Sequence, residues 1–229
     1  MEALIVSDNP NDPLSSPPPH SGFRRLFGYN TALSNPRALP SVNQTGFGRH
    51  RREPHWHSPT AAQRARVPVQ QLDWLLDDGS LTRRLVASCG GTFRVAPLDQ
   101  GWRRPLLNEA GALGMRPEHY ALVREVHLLC GKQPWVFART VIPPHTLSGK
   151  RRRLARLGDK PLGAVLFADC SMRRSPVQIA RLRPGQWLFD AATAPLTSMP
   201  AEIWGRRSLF WLGGHPLLVN EIFLPGLGE

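Results

Sequence analysis

The chain is poor in cysteine, in acid and in long apolar runs, and each shortage narrows what it can be. Of 229 residues only Cys89, Cys130 and Cys170 are cysteines. An odd count with no CxxC spacing argues against a disulfide framework or a zinc knuckle, and points to reduced thiols in a cytoplasm with no metal site. No apolar stretch approaches the ~18 residues that would cross a bilayer, and the first residues lack a basic, then apolar, secretory pattern. Acidic residues number 17 against 29 basic ones, for a formal charge of +12. Such a balance suits an anionic ligand or nucleic acid. No stripe of basic residues interleaved with aromatics stands out, so a nucleic-acid partner is not expected. The phosphate-loop pattern GxxxxGK[ST] and repeats at solenoid or propeller periods are both missing.

What is present divides at about Val67. Nine of the 23 prolines fall in residues 1–66, with much Ser, Asn, Gly and Arg and no hydrophobic period. That composition predicts a disordered or loosely held extension. The HRREPHWH run, His50 to His57, reads as solvated histidines in that basic tail rather than as metal ligands. Residues 67–229 read as one folded domain. VPVQQLDWLLDD gathers Val69, Leu72, Leu75 and Leu76 on one helical face. Ser80 is placed to cap a second helix, LTRRLVAS. ALVREVHLLC and PWVFARTVIP are strand-like runs joined through Gly131, Lys132 and Gln133, which predicts a hairpin. Pro161 suits a first helical turn, so a helix should open near Leu162 with free amides. Residues 184–201, rich in Pro, Gly and Ala, read as an insertion or long connection. IWGRRSLFWL and PLLVNEIFLP predict a last hairpin about Gly213-Gly214. The expected class is α+β, a single domain with an antiparallel sheet flanked by helices.

Charges sit where these strands call for apolar residues. Leu122, Arg124, Val126 and Leu128 share a face, and so do Leu217, Val219, Glu221 and Phe223. Arg139 stands similarly among Trp135, Phe137 and Val141. A buried charge must be paired or face a ligand. Arg124 and Glu221 could pair with each other, or these faces could be solvated. If instead they form a site, an arginine fork suits a carboxylate and a helix start near Pro161 offers amides to an anion. A carboxylate among apolar neighbours suits proton transfer. The ligand class is then a small dianionic organic acid. His127, His145 and His215 lack the partners of a catalytic triad.

LDWLLDDGSLTRRL, VREVHLLC, QPWVFARTVIPPHTLSG, LGDKPLGAVLF, IWGRRS and PLLVNEIFLP together resemble the chorismate lyase family of ubiquinone biosynthesis. The resemblance runs from about Leu72 to the C-terminus. It implies an α+β domain with helical flaps over an internal cavity, and a cofactor-free lyase that splits chorismate into 4-hydroxybenzoate and pyruvate. It implies catalytic and substrate-binding roles for Arg124 and Glu221. It also implies substrate contacts through the backbone of Leu81 and Leu162; the strand pattern, not the resemblance, adds Arg139 as a candidate support behind the site. A cytoplasmic monomer without metal or cofactor is expected. Two departures stand out: RLRPGQWLFDAATAPLTSMPAE lengthens the stretch before WGRRS, and position 81 is Leu where the family pattern has Met.

The alternative is a non-catalytic domain that senses a small acid. Effector domains of one class of bacterial transcription regulators are similar in fold to chorismate lyases. Those proteins carry a winged helix ahead of the sensor, and residues 1–66 show no helix-turn-helix pattern.

Overall fold

The computed structural model describes residues 52–227. Seven strands form one antiparallel sheet: β1 (Phe93–Arg103), β2 (Ala121–Cys130), β3 (Gln133–Ile142), β4 (Arg173–Arg174), β5 (Gln178–Leu182), β6 (Ile203–Leu212) and β7 (His215–Phe223). The order across the sheet is β1-β2-β3-β7-β6-β4, with β5 also paired to β6. Both expected hairpins form. β2 and β3 are joined by Gly131-Lys132, and β6 and β7 by Gly213-Gly214. Gly131, Gly213 and Gly214 have φ of 58°, 56° and 82°, a left-handed region that tight hairpin turns need and that side-chain-bearing residues avoid.

Helices cover both faces, so the central strands are buried along nearly their whole length. One face carries α2 (Val69–Leu76), α3 (Leu81–Ser88), a 3-10 segment (Gly149–Arg156) and α5 (Leu162–Phe167). Leu75, Leu85, Leu154 and Leu166 are buried there against Val126, Leu128, Val219 and Phe210. The other face carries α4 (Leu107–Leu113) and α6 (Trp187–Thr193), packed on Phe137, Val141, Ile222 and Leu218. The short α1 (Ala61–Arg64) precedes them all. The α+β class and the antiparallel sheet are as expected.

Three expectations are corrected. Residues 184–201 are not a bare connection. They contain α6, whose Leu188, Phe189 and Ala192 are fully buried. The flanking Pro184-Gly185 and Pro195 hide one two-turn helix whose Leu188 and Ala192 lie four apart on the buried side. The folded chain also starts before Val67. Arg52 bridges to Gln186 and His57 to Ile179, while the Glu53 carboxylate accepts the Leu107 and Asn108 amides, both at 2.8 Å. A side chain from this arm thus caps the start of α4. The remainder of the expected extension, residues 1–51, lies outside the described residues. Finally, Cys89 and Cys130 are joined in a disulfide, 41 residues apart, and Cys170 alone is free and exposed. Cysteine parity missed the pair because only the fold brings the end of α3 to the end of β2.

Candidate active site

The site begins as a row of residues across the sheet. Register places Arg124 opposite Thr140, Thr140 opposite Val219, and Val219 opposite Ser208. The parallel row is Val126, Ala138, Glu221 and Arg206. Both rows lie under the starts of α3 and α5. Between sheet and helices is a cavity lined by Arg124, Glu221, Arg174, Arg206, Leu81 and Leu162, with Val95, Val126, Leu128, Ala138, Phe210 and Val219 supplying apolar walls. Counted with its open mouth, it encloses about 550 Å³ of space between the side chains.

The helix starts meet at one end of this space. A Cβ on Gly163 would sit 3.0 Å from Thr82 Oγ1 and 3.5 Å from Ser80 Oγ, so a side chain there would press on Thr82 and glycine eases the close approach of α5 to α3. Ser80 caps α3 by accepting the Arg83 amide, as its sequence position suggested. The first amides of a helix have no carbonyl of their own turn to donate to, so those of Leu81 and Leu162 remain for other partners. Their side chains are buried among the wall residues.

Arg124 is 4% exposed and donates through Nη2 to the carbonyls of Gly158 (2.9 Å) and Lys160 (3.2 Å), just ahead of α5. Burial lowers its pKa from the ordinary arginine value. Its Nε and Nη1 have no acceptor among the described residues. Glu221 accepts from Arg206 Nε at 2.6 Å through Oε2, leaving Oε1 without a protein partner among the described residues. The pairing read as possible between Glu221 and Arg124 is therefore made by Arg206 instead. Arg206 Nη1 is further tied to the carbonyls of Trp74 (2.8 Å) and Asp77 (2.6 Å). Arg174 donates to Ser208 Oγ (3.0 Å) and to the carbonyl of Asp78 (2.7 Å). None of the unpartnered arginine nitrogens is among the buried unpartnered atoms, so they open onto accessible space.

Sequence periodicity had marked Arg124 and Glu221, and both line this one cavity with Leu81 and Leu162. Arg174 and Arg206 were missed. Arg206 could have been found, because Trp204, Arg206, Ser208 and Phe210 alternate as the Arg124 row does. Arg174 stands on a two-residue strand and gives no periodic signal.

Arg139 is the correction. It faces α4, on the other side of the sheet, and backs no part of the cavity. Its Nε and Nη2 donate to Glu109 at 2.8 and 3.0 Å, its Nη1 to Glu125. The guanidinium also stacks over Trp187, 4.6 Å from the ring centre. Burial disfavours its charge, but Glu109 and Glu125 outweigh that and hold its pKa above the usual value. Among the described residues no cluster of His, Cys, Asp and Glu could hold a metal ion, and no helix is long and apolar enough to cross a membrane.

The family model described as chorismate lyase matches residues 52–227. A probable chorismate pyruvate-lyase of Methylococcus capsulatus is 44% identical over 67% of this chain and 94% of its own length. That of Pseudomonas aeruginosa is 42% identical over 74% and 91%, and that of Nitrosomonas europaea 39% over 75% and 94%. Among solved structures, PhnF from Mycobacterium smegmatis aligns with TM-score 0.48 and 14% identity over 66% of this chain and 65% of that one. The ligand-binding domain of a GntR-family regulator from Bordetella bronchiseptica aligns with TM-score 0.43 and 15% identity over 60% and 86%. Those two are too distant to bear on the site. The match over the whole described chain, with relatives near two-fifths identity aligned almost end to end, establishes that the chain belongs to the chorismate lyase family.

Proposed function

We propose that the chain is a chorismate pyruvate-lyase, converting chorismate to 4-hydroxybenzoate and pyruvate as the first committed step of bacterial ubiquinone biosynthesis. The observation that carries this reading is one cavity in which arginines with free donors surround a single carboxylate under two helix starts. Chorismate is a dianion with a ring hydroxyl and an enolpyruvyl ether. In the reaction the bond from ring carbon 3 to the ether oxygen breaks and carbon 4 loses its hydrogen. The enolpyruvyl methylene gains a hydrogen and becomes the methyl group of pyruvate. The atoms balance without water or an oxidant, and aromatisation supplies the driving force, so the chemistry calls for no metal or organic cofactor.

The residues then have separate tasks. Arg124 binds the ring carboxylate through its free nitrogens, a two-donor geometry that lysine cannot reproduce. The amides of Leu162 and Leu81 add donors at the same end, where the helix starts favour negative charge. Glu221 accepts the ring hydroxyl through Oε1 and assists movement of the proton lost from carbon 4, held in orientation by Arg206. Fixing the enolpyruvyl side chain in a reactive conformer, in a cavity walled by apolar residues, does the rest.

Incubation of the purified chain with chorismate tests the reading. The expected result is equal amounts of 4-hydroxybenzoate, followed by absorbance, and pyruvate, followed by a coupled assay. Tight binding of chorismate with no turnover would instead favour the effector-sensing alternative.

A further inference from the structure

The cavity holds more positive charge than its own carboxylate balances. Among the described residues Arg206 is paired with Glu221, but neither Arg124 nor Arg174 has a carboxylate oxygen within 4.0 Å. Both are tethered only by neutral acceptors: Arg124 by the Gly158 and Lys160 carbonyls, Arg174 by Ser208 Oγ and the Asp78 carbonyl. Two buried or half-buried guanidinium groups thus open on one cavity with no carboxylate in ion-pair contact, although Glu221, Asp77 and Asp78 act on Arg174 from farther off and partly offset its burial. Burial and then the neighbouring Arg206 lower the pKa of Arg174, which is the electrostatic cost of holding it there.

The two cations stand at opposite sides. Arg124 and Ser208 occupy one row, separated by β3 and β7. Three strand spacings put their backbones about 14 Å apart. The Arg174 guanidinium is anchored at the Ser208 end through Nε, and its Nη2 has no protein acceptor among the described residues. The Glu221–Arg206 pair lies in the adjacent row, with Glu221 on β7 between the two cations and Arg206 on β6 beside Ser208.

We propose that the cavity has two carboxylate subsites, and that Arg174 holds the enolpyruvyl carboxylate of the substrate while Arg124 holds the ring carboxylate. This rests on the chorismate reading. The order of groups fits: ring carboxylate at Arg124, ring hydroxyl opposite it at Glu221, and the ether side chain, on the carbon beside the hydroxyl, reaching toward Arg174. After cleavage the partner of Arg124 stays on 4-hydroxybenzoate, while the partner of Arg174 leaves with pyruvate. Arg174 therefore distinguishes substrate from product, which Arg124 does not.

The test uses the full chain and two isosteric ligands: 3-(carboxymethoxy)-4-hydroxybenzoate, with both carboxylates, and the amide of its side-chain acid, with only the ring carboxylate. Wild-type protein is expected to bind the diacid at least tenfold more tightly than the amide, by calorimetry. In Arg174→Gln that ratio should fall to near one, the chorismate KM should rise at least tenfold, and inhibition by 4-hydroxybenzoate should stay within about twofold. Arg124→Gln should weaken all the ligands together. Equal wild-type affinity for diacid and amide overturns the proposal, and that measurement needs no variant to fold. So does an Arg174→Gln protein that keeps the tenfold ratio, or that loses 4-hydroxybenzoate as severely as chorismate. A wild-type protein that does not turn over chorismate sinks the functional reading instead, whatever the ratio.

Discussion

On the α4 and α6 side of the sheet, Arg139 commits all three guanidinium nitrogens to Glu109 and Glu125. One residue-width away through the same sheet, Arg124 is just as thoroughly buried yet leaves two nitrogens without an acceptor among the described residues. The network around Arg139 is closed further. Glu109 also accepts from Asn220 Nδ2 and from the Leu106 amide, both at 2.9 Å, and Arg207 reaches Gln178 and Asn108. What separates a structural charge from a functional one is therefore not burial or apolar company, which the two arginines share. It is whether the protein supplies the whole set of acceptors or leaves part of it to a ligand.

Breaking the closed side should have the largest effect. Glu109→Leu removes four accepted hydrogen bonds from a fully buried position and strands Arg139 with Glu125 alone. A loss of about 3–5 kcal/mol in unfolding free energy is expected by denaturant titration. Adding Arg139→Met should recover part of it, because no guanidinium is then stranded, while Glu125 at the half-buried edge loses its partner. If the double variant is no more stable than the single one, Arg139 is not the group that Glu109 serves.

On the open side the effects should appear in chemistry before stability. Glu221→Gln keeps the shape and an acceptor for the ring hydroxyl but cannot take a proton. If proton movement is its task, turnover falls by about 10²–10⁴-fold with 4-hydroxybenzoate binding largely kept. If Glu221 only positions the ring, turnover and affinity fall modestly and together. A variant with wild-type kinetics and a lower melting temperature would reduce Glu221 to the partner of Arg206. Arg124→Ala should weaken 4-hydroxybenzoate binding by about 2–5 kcal/mol in calorimetry. Its melting temperature should move far less than that of Glu109→Leu, since Arg124 has no carboxylate to strand.

This contrast also explains which parts were legible in the sequence. The period-two pattern of β2 and β7 exposed Arg124 and Glu221 because a strand's faces alternate strictly. The same pattern flagged Arg139 for the wrong side, since its partner Glu109 lies 30 residues upstream on α4. The stretch before β2 carries no clear sign of that helix. Arg174 has its meaning from Ser208 and the Asp78 carbonyl, residues far apart in the chain, and a two-residue strand has no period to read. The helix starts at Leu81 and Leu162 were legible because Ser80 and Pro161 are local signals. α6 was not, because its flanking Pro and Gly resemble those of a loop.

The smallest effect concerns how the two sides respond to acid. The cavity arginines stay charged across any ordinary pH, whereas the far side carries a buried histidine, His127. This ring is 5% exposed, packs 5.6 Å from Phe137 and lies 3.4 Å from the Ala192 carbonyl of α6. Burial lowers its pKa below the ordinary 6.5, and the Ala192 carbonyl only partly opposes this. The folded state therefore binds fewer protons than the unfolded one as pH falls past that value. The stability tied to neutral His127 is fully present above pH 6.5 and is lost as pH drops from there through the folded pKa. Glu125, on the same side, runs the other way: burial raises its pKa despite Arg139, so its contribution is lost as pH rises above its ordinary 4.5. Comparing wild type with His127→Gln at each pH cancels the Glu125 share. Glutamine can still meet the Ala192 carbonyl but does not titrate. The wild-type melting temperature should fall relative to the variant between about pH 6.5 and 5.5, by a few degrees for each ~1 kcal/mol of linkage. Parallel curves over that range would mean that His127 protonates as readily in the folded protein as in the unfolded chain, and that the α6 packing around it opens to water.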